Sequence, residues 1–370
     1  MKALAAVLHE LGKPMSVEEV DVLPPGPGEV QVRVSAAGVC HSDLHVIKGD
    51  LPMPTPIIPG HEGSGVVEAV GKGVTEVEEG DHVLPMWRMS CGRCEYCLGG
   101  RPALCDVGTK MRFTGLMPDG DTRFRSSSGE RILHYAGVST FSQVATIPEP
   151  SVVKIPKDYS LTNGALISCG VITGYGAVVN TAEVKPGTTV AVFGCGGIGL
   201  NMVQSAKIAG AIQIIAVDRV TSKLDYAKEF GATDFVNASE DDPVQAVLDL
   251  TGGVGVDYGF EAIGLPEPIE QAYDATKKGG TCVVAGIAPK EARAKINVNA
   301  LVYAEKTLKG TIYGSTRPRI DLLKLMDLHL SGQLKLEELL TKTYKLTEIN
   351  EAYEALENGE VARSLILPNE

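Results

Sequence analysis

The chain has 370 residues, 44% of them apolar and 22% charged, with a formal net charge of −12. That length exceeds what one hydrophobic core usually fills, so two domains are expected. The acidic balance excludes nucleic acid or an anionic membrane as the main partner, though not a local basic patch around a phosphate-bearing cofactor. At the N-terminus, MKALAAVLHELGKPM breaks its apolar run at His9 and Glu10 and lacks the shape of a signal peptide. No run of about 18 apolar residues stands out as a membrane span. A cytoplasmic, reducing compartment is the expectation, and there closely spaced cysteines serve as metal ligands more often than as disulfides.

Residues 1 to about 165 read as short strands between turns. VQVRVSAAGV alternates, GSGVVEAVG is valine-rich, and DHVLPM follows a glycine, while PPGPGEV and PMPTPIIPG read as loops. This half is expected to be β-rich. From about 160, TNGALISCGVITGYGAVVNTAEV has helical periodicity. TTVAVFGCGGIGLNMVQSAKIAGAIQIIAVD then reads as strand, glycine turn, helix, strand. The alternation continues through helix KLDYAKEFGA, strand DFVNA, helix VQAVLDLTGG, strand VDYGFEAIG, helix IEQAYDATKKGG and strand TCVVAGI. Such alternation predicts an α/β fold, a doubly wound parallel sheet of Rossmann type beside the β-rich domain. The expected division is 1–170 with 313–370 for the β-rich domain and 171–312 for the dinucleotide-binding domain. The helices IDLLKLMDLHLSGQL and INEAYEALENG are expected to return to the first domain.

Gly194-Cys195-Gly196-Gly197-Ile198-Gly199 fits G-x-G-x-x-G between an apolar strand and a helix. Gly194 would allow the tight turn, Gly196 the approach of a pyrophosphate, and Gly199 close helix–strand packing. The helix N-terminus would favour the phosphates. Asp218, ending the next strand, would accept ribose hydroxyls and repel a 2′-phosphate, which favours NAD over NADP despite Arg219 next to it.

Cys91, Cys94, Cys97 and Cys105 follow C-x2-C-x2-C-x7-C, four of the chain's eight cysteines in one loop. Four local thiolates can close around zinc and leave no open position. An iron–sulfur cluster is the rival reading of a CxxCxxC run; the hydride-transfer architecture around it favours zinc. Other candidates are scattered: Cys40, His41, Asp43 and His45, then His61 and Glu62, then Cys169. Each alone has a bland reading as a core cysteine or a turn histidine. Two cysteines and one histidine together form the three-ligand set of an open, catalytic zinc.

These motifs, with GHEGSGVVEAVG, GVSTFSQ and CGVITGYGA, resemble in order and spacing the zinc-dependent alcohol dehydrogenases of the medium-chain dehydrogenase/reductase family, over essentially the full chain. The resemblance implies a GroES-like catalytic domain, two zinc ions per chain and NAD. It makes Cys40, His61 and Cys169 the catalytic zinc ligands, the four-cysteine loop the structural site, Glu62 a nearby second-shell acid, and Asp43 the partner of His61. Ser42 and His45 match the proton relay, through which an alcohol activated on zinc would lose its proton by way of the ribose. Thr173 and Ile198 would flank the nicotinamide, Lys223 would sit near the adenosine ribose, and His41 and Arg363 would face the pyrophosphate. A histidine at position 41, where the family usually has a more basic residue, would hold phosphate more weakly at neutral pH. Trp87, Leu51, Tyr135, Ala136 and Ile312 would line the substrate pocket, which suits a primary alcohol with an apolar or aromatic body and has no evident site for a charged one. The segment from Val107 to Gly137 matches the longer loop of dimeric members, implying a homodimer.

Two other readings are weighed. GLMPDGDTRF resembles glutathione-dependent formaldehyde dehydrogenase, but Thr109 stands where that branch has a carboxylate-binding arginine, and His45 where it tends to have tyrosine. A zinc- and nucleotide-binding protein without activity is the alternative of another class.

Overall fold

A computed structural model describes residues 1–359 and 361–370. The chain divides into two compact units, 1–169 with 317–327 and 336–370, and 170–316 with 328–335. The first crossing falls one residue before the expected boundary. The return lies at 317 rather than 313, and residues 328–335 rejoin the second unit.

The first unit is built on two sheets. One carries five strands, beginning with the antiparallel pair Lys2–Val7 and Ser16–Val22. The other centres on the long strand Glu29–Gly38, whose antiparallel partners are Gly63–Val70, Val144–Pro148 and Arg363–Leu367. Valines at 30, 32 and 34 are fully buried there, as the alternating pattern requires. The C-terminal strands Leu340–Lys345 and Arg363–Leu367, a parallel pair, were not anticipated. Arg363–Leu367 also pairs with Glu29–Gly38, more than 300 positions away, a signal that local patterning does not carry. The segment from Val107 to Gly137 is more than a loop. It contains most of the helix Asp106–Thr114 and the strands Phe124–Arg125 and Arg131–His134.

The second unit contains a six-stranded, wholly parallel sheet. In order across the sheet its strands are Asp234–Asn237, Gln213–Asp218, Thr189–Phe193, Val256–Glu261, Thr276–Val284 and Thr307–Gly310. That is the 3-2-1-4-5-6 order of a dinucleotide-binding fold, whose switch point lies between the strands ending at Phe193 and Glu261. The core buries Ala191, Phe193, Ile215, Val217 and Val256. One helix is shorter than expected. Pro266–Asp274 stops before ATKKGG, most of which belongs to the strand Thr276–Val284. A register shift beside Val256 absorbs the extra residues, and a Cβ on Gly280 would lie 2.8 Å from the Asp257 carbonyl oxygen.

The helical stretch 161–182 is long and apolar enough to cross a bilayer, contrary to the reading from apolar runs, yet 89% of its most apolar window is buried within the protein. Its glycines explain the composition. A Cβ on Gly174 would fall 2.6 Å from Asn201, and one on Gly176 2.2 Å from the Gly314 carbonyl oxygen. Small residues here permit close packing rather than lipid contact. The helix widens to a π turn over Ile167–Val171, which carries Cys169.

Candidate active site and metal centres

Three separate segments deliver the scattered cluster. Cys40 follows the strand Glu29–Gly38 and caps the helix His41–Lys48. His61 and Glu62 precede the strand Gly63–Val70, and Cys169 comes from the π turn. Hydrogen bonds lock these segments together. Gly38 N–H donates to the Glu62 carbonyl at 3.2 Å, Thr140 Oγ1 donates to the same carbonyl at 2.7 Å, and Gly63 N–H donates to Ser168 Oγ at 3.0 Å. Position 38 admits only glycine, because a Cβ there would sit 1.9 Å from the Glu62 carboxylate.

Asp43 Oδ2 lies 3.0 Å from His61 Nδ1, and Asp43 Oδ1 accepts from Gly60 N–H at 3.0 Å. Asp43 thereby fixes the imidazole and leaves Nε2 facing Cys169 Sγ at 3.4 Å. The ligand atoms of Cys40, His61, Glu62 and Cys169 all lie within 4.8 Å of one another, and all four residues are buried. Glu62, expected behind the ligands, thus brings a carboxylate oxygen into the same group.

Burial and mutual contact shift all four groups. The hydrogen bond from Cys169 and the neighbouring His61 hold the Cys40 thiol well below its usual range, against burial. Cys169 is pushed well up, first by its hydrogen bond to Cys40 and then by burial. Burial raises Glu62 to about 8, against the pull of Arg363. His61 would be lowered by burial, but Asp43 and then Cys40 carry it well above its normal value. Glu62 Oε1 is sealed from solvent with no hydrogen-bond partner. Two thiols, one imidazole and an orphaned carboxylate oxygen are the donor chemistry of a zinc ion, and the residues present fit one.

Arg363 is buried, with its guanidinium hydrogen-bonded to the Glu62 carboxylate. The strand Arg363–Leu367 pairs beside Gly38 and so delivers the arginine there. A low-dielectric site with an extra carboxylate needs such a cation.

Ser42 and His45 share the helix His41–Lys48 at i and i+3, neighbours on one face. His45 Nδ1 lies 3.0 Å from Asp50 Oδ2, and its carbonyl accepts from Leu51 N–H. His41 is exposed. Trp87 and Tyr135 are buried and stand edge-on to the His61 ring, their centroids 5.8 and 5.6 Å away. Ala136, next to Tyr135, is buried with a left-handed backbone at φ 52°. Ile312 lies in the second unit, just before the short turn Tyr313–Ser315.

The four-cysteine loop forms a second group, its sulfurs also within 4.8 Å of each other. Cys105 is fully buried and accepts from Cys91 N–H at 3.3 Å. Backbone N–H groups of Cys97 and Asp106 lower Cys94 to about 6, while burial pushes Cys97 up to about 12. None of the eight cysteines is in a disulfide.

In the second unit Gly194 adopts φ 94° after the strand Thr189–Phe193, and its N–H donates to the Val217 carbonyl. A Cβ on Gly199 would lie 1.7 Å from the Gly194 carbonyl oxygen, whereas one on Gly196 would meet nothing within 4 Å. The first and third glycines are therefore packing requirements, and the second borders open space at the N-terminus of the helix Gly197–Ile208. Ile198 lies in the first turn of that helix. Asp218 Oδ2 accepts from Cys195 N–H at 2.7 Å, so the acid also braces the turn. Lys223 is half-buried in the helix Thr221–Phe230, and Thr173 is buried in the helix Ile172–Gly176.

Two residues that the sequence reading did not select stand beside the aromatic wall. Arg88 and Arg112 are both buried, with guanidinium carbons 5.5 and 5.0 Å from the Trp87 ring centre. An arginine carries no sequence signal that it will fold inward.

Residues 26–157 match the alcohol dehydrogenase GroES-like domain family, and residues 197–329 match the zinc-binding dehydrogenase family. The chain is 42% identical over 370 residues to the NDMA-dependent alcohol dehydrogenase of Amycolatopsis methanolica, covering 99% of both chains. It is 41% identical to an S-(hydroxymethyl)glutathione dehydrogenase of Synechocystis sp., over 99% of this chain and 100% of the relative. The crystal structure of benzyl alcohol dehydrogenase from Acinetobacter calcoaceticus superposes with a TM-score of 0.94 at 33% identity, covering 99% of each chain. With both family matches, full-length relatives and two fitting metal-ligand clusters, the chain belongs to the zinc-dependent alcohol dehydrogenases of the medium-chain dehydrogenase/reductase family.

Proposed function

We propose that the protein interconverts primary alcohols of apolar or aromatic body with their aldehydes, using NAD, and that the buried Cys40–His61–Cys169 cluster flanked by Trp87 and Tyr135 is the reaction centre. That adjacency of a metal-ligand set and aromatic rings is the observation that carries the reading. Zinc held by Cys40, His61 and Cys169 would supply the Lewis acidity that eases loss of a hydroxyl proton. NAD at the Gly194–Gly199 turn would supply the hydride acceptor.

The chain's own residues do the positioning. Asp43 holds Nδ1 of His61 so that Nε2 is the ligand nitrogen. Ser42 and His45, one turn apart, carry the proton outward, and His45, partly exposed and bonded to Asp50, hands it to water. The Asp218 carboxylate disfavours a 2′-phosphate, which supports NAD. A homodimer, on the resemblance, and a cytoplasmic location, on the shape of the N-terminal sequence, complete the reading.

A second reading, glutathione-dependent formaldehyde dehydrogenase, draws on the Synechocystis relative. Thr109 weakens it: its hydroxyl donates to the Cys105 carbonyl and accepts from Arg88, and it offers no charge to a conjugate's carboxylate. Initial rates with benzyl alcohol, ethanol and S-hydroxymethylglutathione, each with NAD and NADP, test both. Benzyl alcohol with NAD should be fastest. A preference for the glutathione conjugate would favour the second reading, and silence with every substrate would leave the inactive binding protein.

A further inference from the structure

The side chain of Arg112 has no counter-ion among the described residues. It projects from the helix Asp106–Thr114 and is 8% exposed, yet no carboxylate lies within 4.0 Å of it among the described residues. Among the described residues its side chain makes one hydrogen bond, from Nη2 to the Tyr135 hydroxyl at a long 3.4 Å. Apart from the like charge of Arg88 on the same tryptophan, its surroundings are aromatic. The guanidinium carbon lies 5.0 Å from the ring centre of Trp87, 5.8 Å from Phe113 and 6.0 Å from Tyr135. Ring faces offset part of the cost of burying a cation but do not replace an anion. Among the described residues Nε and Nη1 have no acceptor, and neither is sealed from solvent. The donor edge of a nearly buried guanidinium is therefore open.

Arg88, on the same tryptophan, makes the contrast. Its Nε donates to the Ala103 carbonyl at 2.8 Å and Nη2 to Thr109 Oγ1 at 3.0 Å, and it feels the charge of Cys105. Arg88 is committed to holding the cysteine lobe against the helix that carries Arg112. That helix starts at Cys105 itself, and Gly108 lets it press on the backbone of Met89. The scaffold is thus built to place Arg112, and the two rings it lies against, Trp87 and Tyr135, are the two that abut the metal-ligand His61.

We propose that Arg112 determines substrate specificity by receiving a carboxylate, so that favoured substrates are alcohols or aldehydes bearing an acidic group about one aromatic ring away from the reacting carbon. The proposal rests on the reaction assigned under Proposed function and replaces the expectation that the pocket has no place for charge. A planar, permanently charged fork with a free edge matches a carboxylate in two-point contact.

The test compares kcat/KM for 3- and 4-(hydroxymethyl)benzoate with kcat/KM for their methyl esters and for benzyl alcohol. It is run on the zinc-loaded wild type, Arg112→Met and Arg112→Lys. The wild type should prefer an acid over its ester. Arg112→Met should lower that acid-to-ester ratio about 10- to 100-fold, the worth of a charge-assisted hydrogen bond, and Arg112→Lys should retain part of it. Zinc content and far-UV circular dichroism check that each variant folds, and the wild-type ratio stands even if one does not. Oxidation of benzyl alcohol with no preference for either acid overturns this proposal alone. An equal loss on acid and ester in Arg112→Met reduces the arginine to a packing clamp and also overturns it. Failure to oxidise any of these alcohols overturns the assigned reaction together with the proposal.

Discussion

The two cysteine clusters are built by opposite routes. Cys91, Cys94, Cys97 and Cys105 come from one loop, three of them half-exposed, and the hydrogen bonds that shape the loop are local, such as Cys91 N–H to Cys105 Sγ. Cys40, His61 and Cys169 come from a strand end, a turn and a π-helical segment, and every one is buried. The local cluster can saturate its own ion and so stabilises structure. The dispersed cluster depends on the whole unit. That unit surrounds it with Asp43, Glu62 and Arg363, charged groups a single loop could not assemble. Reactivity here accompanies long-range assembly, and motif density accompanies stability.

The contrast predicts unequal losses. Cys40→Ser should remove one zinc per chain and lower kcat by at least about 100-fold, the scale of losing a Lewis acid worth several kcal/mol, with the fold largely kept. Metal analysis beside steady-state kinetics measures this, and full activity with unchanged zinc would end the assignment of the dispersed cluster. Cys94→Ser should also remove one zinc, but its main effect should be a lower thermal midpoint with a smaller loss of kcat. If the two variants lost activity equally, the division into a reactive and a structural site would collapse.

The smallest effect separates acid loss of metal from acid loss of fold. His134 is fully buried, its Nε2 accepts from Arg123 N–H at 3.0 Å, and burial, with Arg123 and Arg125 nearby, lowers it to about 3. An unfolded histidine binds its proton near pH 6.5, so between about pH 6.5 and 3 the unfolded state holds a proton that the folded state refuses. Stability from this residue is full above pH 6.5 and falls by about 1.4 kcal/mol per pH unit as pH drops through that window. Denaturant titrations from pH 7 to 4 should show a shallower decline in His134→Gln, whose side chain can still accept the Arg123 N–H. An identical decline in the variant would assign the acid sensitivity to the clusters instead.

Much of this was legible in the sequence wherever a property is local. The strands around Val30–Val34 and Val190–Phe193 follow from alternation and apolar runs, and the four-cysteine loop from its spacing. Gly194, Gly196 and Gly199 follow from their place between a strand and a helix. Helix and strand boundaries failed where a register shift intervened, as at Lys277–Gly280, because the accommodation lies in the neighbouring strand. The contact of Arg363 with Glu62 was not legible for a related reason. Nothing near Arg363 in the chain states that its strand pairs beside Gly38, where the buried Glu62 carboxylate lies.

By itself, then, the sequence determined the class of fold, the existence of two metal-ligand sets and the glycine turn, since these depend on residue type and short spacing. The tertiary structure alone decided which charges surround the reactive set, and that a buried arginine with an open edge stands beside the aromatic wall. Those outcomes depend on which distant segments pack together, because a buried charge is set by neighbours that lie tens to hundreds of residues away along the chain.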